Sequence, residues 1–330
     1  MNVLITLDYE LFFGDSGSPE KCIIEPTNRL IEIADKYNFK CVFFVDAGYL
    51  IKLKEYANNY QQLKNDYELV SGQVKELSEA GHEIQLHIHS HWEDTVYDGS
   101  KWDFDLSRYR LDSFKEEEVL DIFYRYKSIL EDITDKKVFA YRAGGWCIQP
   151  FSRLKQAFIK NEITIDSTVF YKGKNTTKTQ WFDFTEAKDF DSWSFEEDPC
   201  IADTSGNFFE FPIASYKVSP VFFWRLIFAR KFGGDKHMVI GDGFASQGSI
   251  KQILRLLFKG SNSVVSIDGY KIKFLNNAFN KYKKQQKKNF IIIGHPKAFT
   301  KYSLEVLEGF CNQVSKNKED IITTFNSIKV

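Results

Sequence analysis

The sequence predicts an α/β fold in which parallel strands alternate with helices. Two patterns in the chain of 330 residues support this prediction. Short runs of apolar residues, many of them β-branched or aromatic, recur along the chain, and each is too short to form a helix. Between them lie segments whose apolar residues are three or four positions apart, as on one face of a helix. This order is typical of a parallel sheet or barrel, whose functional residues gather at the carboxyl ends of the strands.

Eight runs are predicted to be strands. The first begins almost at the amino terminus, and the second is a β-branched and aromatic run that ends in an aspartate. The predicted strands cover residues 3–7, 40–46, 83–87, 138–141, 163–166, 208–213, 290–296 and 321–324.

Six segments have helical periodicity. Pro26 suits the first turn that leads into the first of them, where a proline costs the helix no hydrogen bond. The second stops at Ala80-Gly81. The predicted helices cover residues 30–37, 69–77, 116–130, about 151–159, 221–232 and 304–314.

Two further segments differ from the regular strands and helices. The polar, aromatic-rich stretch at 92–111 is longer than a usual connection, which favours a lid or binding loop. The predicted helix at 221–232 is apolar nearly all round, with Arg225, Arg230 and Lys231 as its basic residues. It is too short to span a bilayer, and two alternatives stay open: burial in a barrel or dimer interface, or docking on a membrane.

Composition limits the function. With 43% hydrophobic and 16% aromatic residues, the chain can bury a large core. A formal net charge of −1 provides no basic field for nucleic acid, which we exclude as a partner. The amino terminus resembles neither a signal peptide nor an anchor. Five cysteines at scattered spacing indicate reduced thiols, so we expect a cytoplasmic protein.

A cluster of histidines predicts a metal site. Four of the six histidines fall within residues 81–92. His87 and His91 point the same way if the chain turns helically after a strand, and imidazole suits zinc or a neighbouring first-row metal. A carboxylate ligand is also needed, and the first strand ends in Asp8-Tyr9-Glu10. The other two histidines, His82 and His89, are interpreted as structural.

Several motifs, taken in order, resemble those of the polysaccharide deacetylase family (carbohydrate esterase family four, NodB-like), in a divergent branch. They are Thr6-Leu7-Asp8-Tyr9-Glu10, residues 40–45, Gly81-His82-Glu83-Ile84 with His87 and His91, Arg142-Ala143-Gly144-Gly145, and Ile293-Gly294-His295. The resemblance implies a distorted, incomplete (β/α)7 barrel with insertions after the fifth strand. It also implies one catalytic domain over residues 1–330, with a divergent region at about 170–285.

The resemblance also implies residue roles. Glu10, His87 and His91 would bind a divalent metal, for which zinc is expected first and cobalt, manganese, iron or nickel are alternatives. Asp8 would be the general base, oriented by Arg142, and His295 the general acid. The sequence departs from the family pattern in having Asp-x-Glu in place of paired aspartates. It also has Gly144 and Gly145 where a proline and a tyrosine are common, which bears on substrate preference.

Other roles follow from the residues themselves. Gly145, in the flexible Gly144-Gly145 backbone, would offer an N–H group to a developing oxyanion. Tyr9, Trp92 and Trp146 would stack on sugar faces, with core packing as the alternative. For Asp166, at a strand end, an orienting contact with His295 and a turn or helix cap are both open.

The leading hypothesis is a metal-dependent hydrolase that removes an N-acetyl or other N-acyl group from an amino sugar. The substrate would be an N-acetylated sugar, a nucleotide sugar or a lipid-linked glycan precursor, handled in the cytoplasm or at the inner face of the membrane. The alternatives are an amidohydrolase or deformylase on the same barrel and a catalytically inactive sugar-binding homologue. A peripheral membrane contact and a homo-oligomer also stay open.

Overall fold

The structure is a computed structural model that describes residues 1–13, 16–244, 254 and 256–328. The chain forms two compact units. The first comprises residues 1–41 and 213–328, and the second comprises residues 42–212. The predicted single domain over residues 1–330 stays a prediction.

In the first unit, the strand Asn2–Tyr9 pairs in parallel with Asn289–Gly294 along its length. Both strands are predominantly buried, as expected for continuous apolar runs in a parallel sheet. Their register, from Asn2 opposite Asn289 to Leu7 opposite Gly294, brings their carboxyl ends to the same edge. Residues that follow these two strands therefore emerge side by side.

The rest of the first unit surrounds this pair. The short strand Ile321–Ile322 pairs in parallel with the first strand, and Ser215–Val218 pairs antiparallel with Ser261–Val264. The helices of the described part are Glu25–Lys36, Pro220–Phe232, Leu275–Lys284 and Lys301–Ser315. Pro26 lies in the first turn of its helix, as predicted. The lysine-rich run 281–288 is typical of a solvated helix end, and the helix Leu275–Lys284 ends within it, although the sequence did not indicate where that helix begins.

The second unit has a sheet of six strands, all parallel except for one antiparallel pair at its edge. In spatial order they are Trp193–Phe195, Phe208–Glu210, Ile165–Asp166, Ala140–Ala143, Glu83–Ile88 and Val42–Asp46. Two short hairpins, Val96–Tyr97 with Trp102–Asp103 and Lys174–Thr176 with Trp181–Asp183, complete the strands of the described residues. Its helices are Ala47–Tyr56, Gln61–Glu79, Glu116–Thr134 and Lys155–Lys160.

The aromatic-rich segment at 92–111 contains the first of these hairpins. Trp102 contacts Trp92 edge-on, with ring centroids 5.3 Å apart, and also contacts Tyr49 at 6.3 Å. Trp92 and Trp102 are both buried. Much of the segment's aromatic surface is therefore packed inside the unit.

The helix Pro220–Phe232 lies where the sequence predicted it, but it does not bury its apolar side chains. None of its residues, all within the described part of the chain, is buried. The alternative of burial in a barrel is therefore wrong for this helix. In the described part of the chain no helix is long and apolar enough to cross a membrane.

Candidate active site

Asp8, Glu10 and His295 meet in the first unit, at the edge where its two long parallel strands end. His295 Nε2 lies 3.5 Å from Asp8 Oδ2 and 3.7 Å from Glu10 Oε1. Both carboxylates are buried. An imidazole thus faces two carboxylates, because the register of the strands places their following residues side by side.

His295 is supported by Asp268, a residue that the sequence analysis missed. His295 Nδ1 lies 2.8 Å from Asp268 Oδ2, and the backbone N–H of His295 donates to Asp268 Oδ1 at 2.8 Å. Asp268, rather than the expected Asp166, is therefore the carboxylate that orients His295. A signal was present, since Asp268 follows the short β-branched run of Val264, Val265 and Ile267, as Asp8 follows the run 3–7.

The surrounding charges keep His295 protonated. Burial by itself lowers the pKa of His295, but the charge and hydrogen bond of Asp268, with those of Asp8, outweigh burial and raise the pKa to about 10. Burial by itself raises the pKa of Asp268. The attraction to His295 outweighs burial, so the pKa of Asp268 is lowered overall. At neutral pH the ring is therefore an imidazolium beside an ionised carboxylate.

Replacing Asp268 with asparagine is expected to lower the pKa of His295 from about 10 toward its ordinary 6.5, because the neutral amide removes the attraction to the ring. The pKa of His295 is higher in the folded chain than in the unfolded one. The ion pair of His295 and Asp268 therefore stabilises the fold fully below about pH 6.5, and this stabilisation is lost as pH rises through about 10. The NMR titration of the imidazole in chelator-treated protein measures the change. The signal is assigned by its absence in His295→Gln, and an unchanged pKa in Asp268→Asn would contradict the assignment.

Lys297 is a second residue that the sequence analysis missed. Its Nζ donates to Glu10 Oε1 at 2.9 Å and to the carbonyl oxygen of Leu11, and it is largely buried. Three carboxyl groups (Asp8, Glu10 and Asp268) and two basic side chains (His295 and Lys297) therefore meet at this edge of the first unit.

In the second unit, His87 lies in the strand Glu83–Ile88 and is buried. His87 Nδ1 lies 2.9 Å from the carbonyl oxygen of Arg142. A carbonyl can only accept, so Nδ1 carries the proton and Nε2 keeps its lone pair. This backbone support is typical of a metal-binding histidine.

His89 and His91 lie close to His87. The ring centroids of His87 and His89 are 4.7 Å apart, and those of His89 and His91 are 5.4 Å apart. The chain turns helically at Ser90–Glu93, as the spacing of His87 and His91 requires. The ring of His91 also stacks on Tyr109, with centroids 5.8 Å apart and planes 8° from parallel.

Glu10, His87 and His89 are buried residues, and the side chain of each could offer one ligand atom to a metal ion. His89, interpreted from the sequence as structural, is therefore a further candidate ligand beside His91.

Arg142 is fully buried at the end of the strand Ala140–Ala143. Its Nε donates to the carbonyl oxygen of Ser167 at 2.7 Å and its Nη2 to Ser167 Oγ at 3.1 Å. The guanidinium also lies over the ring of Phe44, 4.2 Å from its centroid. These contacts fix Arg142 in one place, and its role in orienting Asp8 stays a prediction.

Gly144 and Gly145 have separate reasons to be glycines. A Cβ on Gly144 would lie 2.5 Å from the carbonyl oxygen of Ile88, and Gly145 has a φ of +59°, where a side chain is strained. Trp146 also has a positive φ, of 61°, which is costly for a bulky residue. The turn that follows Arg142 therefore has a constrained backbone, rather than the flexible one that the two glycines suggested.

Burial distinguishes among the aromatic residues proposed to stack on sugars, and it also describes Cys147. Tyr9 and Trp92 are buried, and the Nε1–H group of Trp92 donates to Asp46 Oδ2 at 2.6 Å, which supports core packing over sugar stacking. Trp146 is partly exposed and contacts Phe170. Burial raises the pKa of the Cys147 thiol to about 11, as expected for an unreactive buried cysteine.

Asp166 belongs to a buried carboxyl pair in the second unit. Asp166 and Glu210 lie opposite each other on paired parallel strands, and both are fully buried. Asp166 Oδ1 accepts a hydrogen bond from Thr168 Oγ1 at 2.6 Å, the turn contact that was its alternative role. Burial, and then the charge of Asp166, raise the pKa of Glu210 well above its ordinary value, so the folded chain favours the protonated form of Glu210.

Replacing Glu210 with glutamine, which resembles the protonated acid, is expected to stabilise the fold relative to the parent as pH rises. The pKa of Glu210 is higher in the folded chain than in the unfolded one. The parent therefore loses about 1.4 kcal/mol of stability for each pH unit above the ordinary carboxyl pKa of about 4.3, until Glu210 itself ionises in the folded chain. Urea unfolding of both proteins between pH 5 and 8 measures the difference. Equal pH slopes would show that Glu210 is ionised in the folded chain.

Comparisons with known proteins concern the family and the fold of the chain. Residues 12–157 match the family model for polysaccharide deacetylases. No curated protein matches the chain. Among solved structures, the chain is similar to a protein from Mycobacterium smegmatis described as a polysaccharide deacetylase, at 15% identity and a TM-score of 0.51, covering 98% of this chain and 87% of that one. The Puue allantoinase is similar at 12% identity, with the same coverage and TM-score.

A family pseudoenzyme from Bacillus anthracis is similar at 9% identity and a TM-score of 0.41, covering 98% of this chain and 64% of that one. The likeness to the Mycobacterium smegmatis structure, at its low identity, concerns the fold, and it confirms the predicted distorted (β/α) barrel. The resemblance of the chain to the polysaccharide deacetylase family is thereby confirmed, by the family model over residues 12–157 and by the fold.

Proposed function

We propose that the protein is a metal-dependent hydrolase that removes an N-acetyl or other N-acyl group from an amino sugar or glycan precursor. The family match supports a hydrolase of the deacetylase type. The observation that carries the proposal is the arrangement of Asp8, His295 and Asp268 in the first unit. A carboxylate base and a protonated imidazole lie 3.5 Å apart, and a second carboxylate holds the imidazole from behind.

These residues suit the two proton transfers of amide hydrolysis. Asp8 takes a proton from the attacking water as the new bond from oxygen to carbonyl carbon forms. His295, charged at neutral pH, gives its proton to the amide nitrogen as the bond from carbon to nitrogen breaks. Asp268 keeps the ring charged and fixes its orientation. An amine departs readily only when it is protonated, so the transfer from His295 is needed as well as the transfer to Asp8.

The donor set fits a divalent metal. In the first unit Glu10 offers a buried carboxyl group, and in the second unit the Nδ1–H group of His87 donates to a backbone carbonyl oxygen, which leaves Nε2 as the nitrogen to bind a metal. We propose Glu10, His87 and His91 as the ligands, with zinc as the expected ion. The ion would supply Lewis acidity to the amide and its attacking water. Lys297 contributes to this site by holding the Glu10 carboxylate in place.

Replacing His87 with alanine is expected to remove most of the bound metal from a folded protein, because a neutral ligand with fixed orientation is lost. His91→Ala should do the same, whereas His89→Ala should retain the metal. Elemental analysis of purified variants, with circular dichroism to verify folding, measures the outcome. Metal loss in His89→Ala with retention in His91→Ala would identify Glu10, His87 and His89 as the ligands. Full metal content in His87→Ala would refute either set.

The substrate is identified by acetate release from a panel of N-acetylated saccharides, nucleotide sugars and lipid-linked saccharides. We expect one of these classes to give acetate in a metal-dependent reaction. Formate release, or hydrolysis of a cyclic amide in place of the sugars, would identify the alternative amidohydrolase or deformylase. Failure of every substrate with fully metallated protein would favour an inactive sugar-binding homologue.

The five cysteines support a location in the reducing cytoplasm. All five lie in described parts of the chain as buried thiols. We place the substrate in the same compartment, as a precursor that is processed before export.

A further inference from the structure

The helix Pro220–Phe232 presents an apolar stripe to the solvent. Val221, Trp224, Phe228 and Phe232 follow one another at intervals of three and four residues, so they share one face. Each of the four is exposed by half or more. Proteins that act as free monomers rarely expose a continuous apolar surface of this kind, which usually marks a site of interaction.

The helix is anchored to the first unit beside the stripe and at its edge. The ring of Phe222 packs on Phe274 and Tyr270, with centroids 5.2 and 5.8 Å apart. The indole N–H group of Trp224 donates to the carbonyl oxygen of Leu257 at 3.1 Å. The helix is therefore held in a fixed orientation, and the stripe is its outward surface.

Basic residues accompany the stripe. The helix carries Arg225, Arg230 and Lys231 and contains no aspartate or glutamate. At 3.6 residues per turn, Arg225 lies on one side of the stripe and Lys231 on the other. The stripe also lines an apolar groove of about 530 Å³, which includes His237 and Tyr270 in its wall. An apolar surface bordered by cations suits a partner with buried hydrocarbon and an anionic surface.

We infer that this helix docks the protein on the surface of an anionic lipid bilayer. Tryptophan and phenylalanine with flanking arginine and lysine are typical of helices that lie in the membrane interface. The helix has 13 residues and a length of about 20 Å, so it lies on the bilayer rather than crossing it. A second copy of the chain fits less well, since a symmetric contact through the stripe would bring Arg225 and Lys231 of both copies together. The inference does not depend on the proposed function.

Cosedimentation of the full chain with vesicles tests the docking. We expect binding to vesicles of phosphatidylcholine with about one third phosphatidylglycerol, and weaker binding when salt screens the charges. The double variant Trp224→Ser, Phe228→Ser should reduce the partition coefficient at least about tenfold, because it removes two apolar side chains from the bilayer. The pair Arg225→Gln, Lys231→Gln should weaken binding to anionic vesicles while leaving binding to pure phosphatidylcholine unchanged.

The matched control is Phe190→Ser in the second unit, which removes an aromatic side chain of similar exposure to Trp224. It should bind as the parent does, and thermal melting should show that all variants are folded. Absence of binding by the parent, or an equal loss in Phe190→Ser, would overturn the inference. A parent dimer that the Trp224→Ser, Phe228→Ser variant converts to a monomer would assign the stripe to a second copy of the chain instead.

Discussion

Replacing Asp8 with asparagine is expected to reduce turnover by a factor on the order of hundreds or more, as the loss of a general base does. Asparagine keeps the shape of the side chain but cannot take a proton from water. Bound metal and substrate affinity should be retained, because the proposed ligands are other residues. Steady-state kinetics on the substrate identified by acetate release, with elemental analysis of the same preparation, measures both properties.

The matched variant is Glu10→Gln, which should lose metal as well as turnover. Asp8 also contributes to the raised pKa of His295, so the two proteins are compared at their own pH optima. Metal loss in Asp8→Asn with retention in Glu10→Gln would show that the roles of the two carboxylates are exchanged.

Replacing His295 with alanine is expected to slow hydrolysis of the natural amide strongly and to spare an acetyl ester with a phenolic leaving group. The amine must be protonated to depart, whereas the phenolate does not need that proton. The alkaline limb of the rate profile should follow the ionisation of His295, because the rate falls as the imidazolium loses its proton. Asp268 and Asp8 raise the pKa of His295, and a bound metal opposes that rise. His295→Ala should flatten this limb.

Asp268→Asn provides the control for this experiment. It retains the imidazole but lowers its pKa, so the alkaline limb should move to lower pH rather than disappear. Rates on both substrates across pH, for the parent and both variants, measure these effects. Equal losses on ester and amide, or an alkaline limb that persists in His295→Ala, would exclude His295 as the acid.

The strands of the site could be predicted because they are buried on both faces. Residues 290–293 are an unbroken apolar run and residues 3–7 are apolar except for Thr6, and such runs identify parallel strands without any alternation. The rule that functional residues follow strand ends then indicated Asp8, Glu10 and His295, which the first unit brings together.

Asp268 and Asp166 show the limit of that rule. Both follow short apolar runs, and the sequence does not say which carboxylate meets His295. That choice depends on strand order. The segment of Asp268 bridges to the strand of His295 through Ser266 and Ile293, whereas the strand of Asp166 pairs with Phe208–Glu210 and places it beside Glu210.

The helix Pro220–Phe232 could be located but not oriented from the sequence. Periodicity indicates a buried face only when polar residues mark the opposite one, and here apolar residues occupy nearly every direction. Burial was therefore one of two open alternatives, and the structure shows instead that the helix is anchored on one side and exposed on the other.

The central claim is that this chain hydrolyses an N-acyl amide with a bound divalent metal. The most direct test is acetate release by chelator-treated protein before and after addition of one equivalent of zinc, on the N-acetylated substrate that performs best in the screen. We expect little release before the addition and recovery of the parent rate after it, with no recovery in Glu10→Gln. Full activity in the metal-free protein, or no acetate from any N-acetylated substrate after the addition of zinc, cobalt, manganese, iron or nickel, would contradict the proposed function.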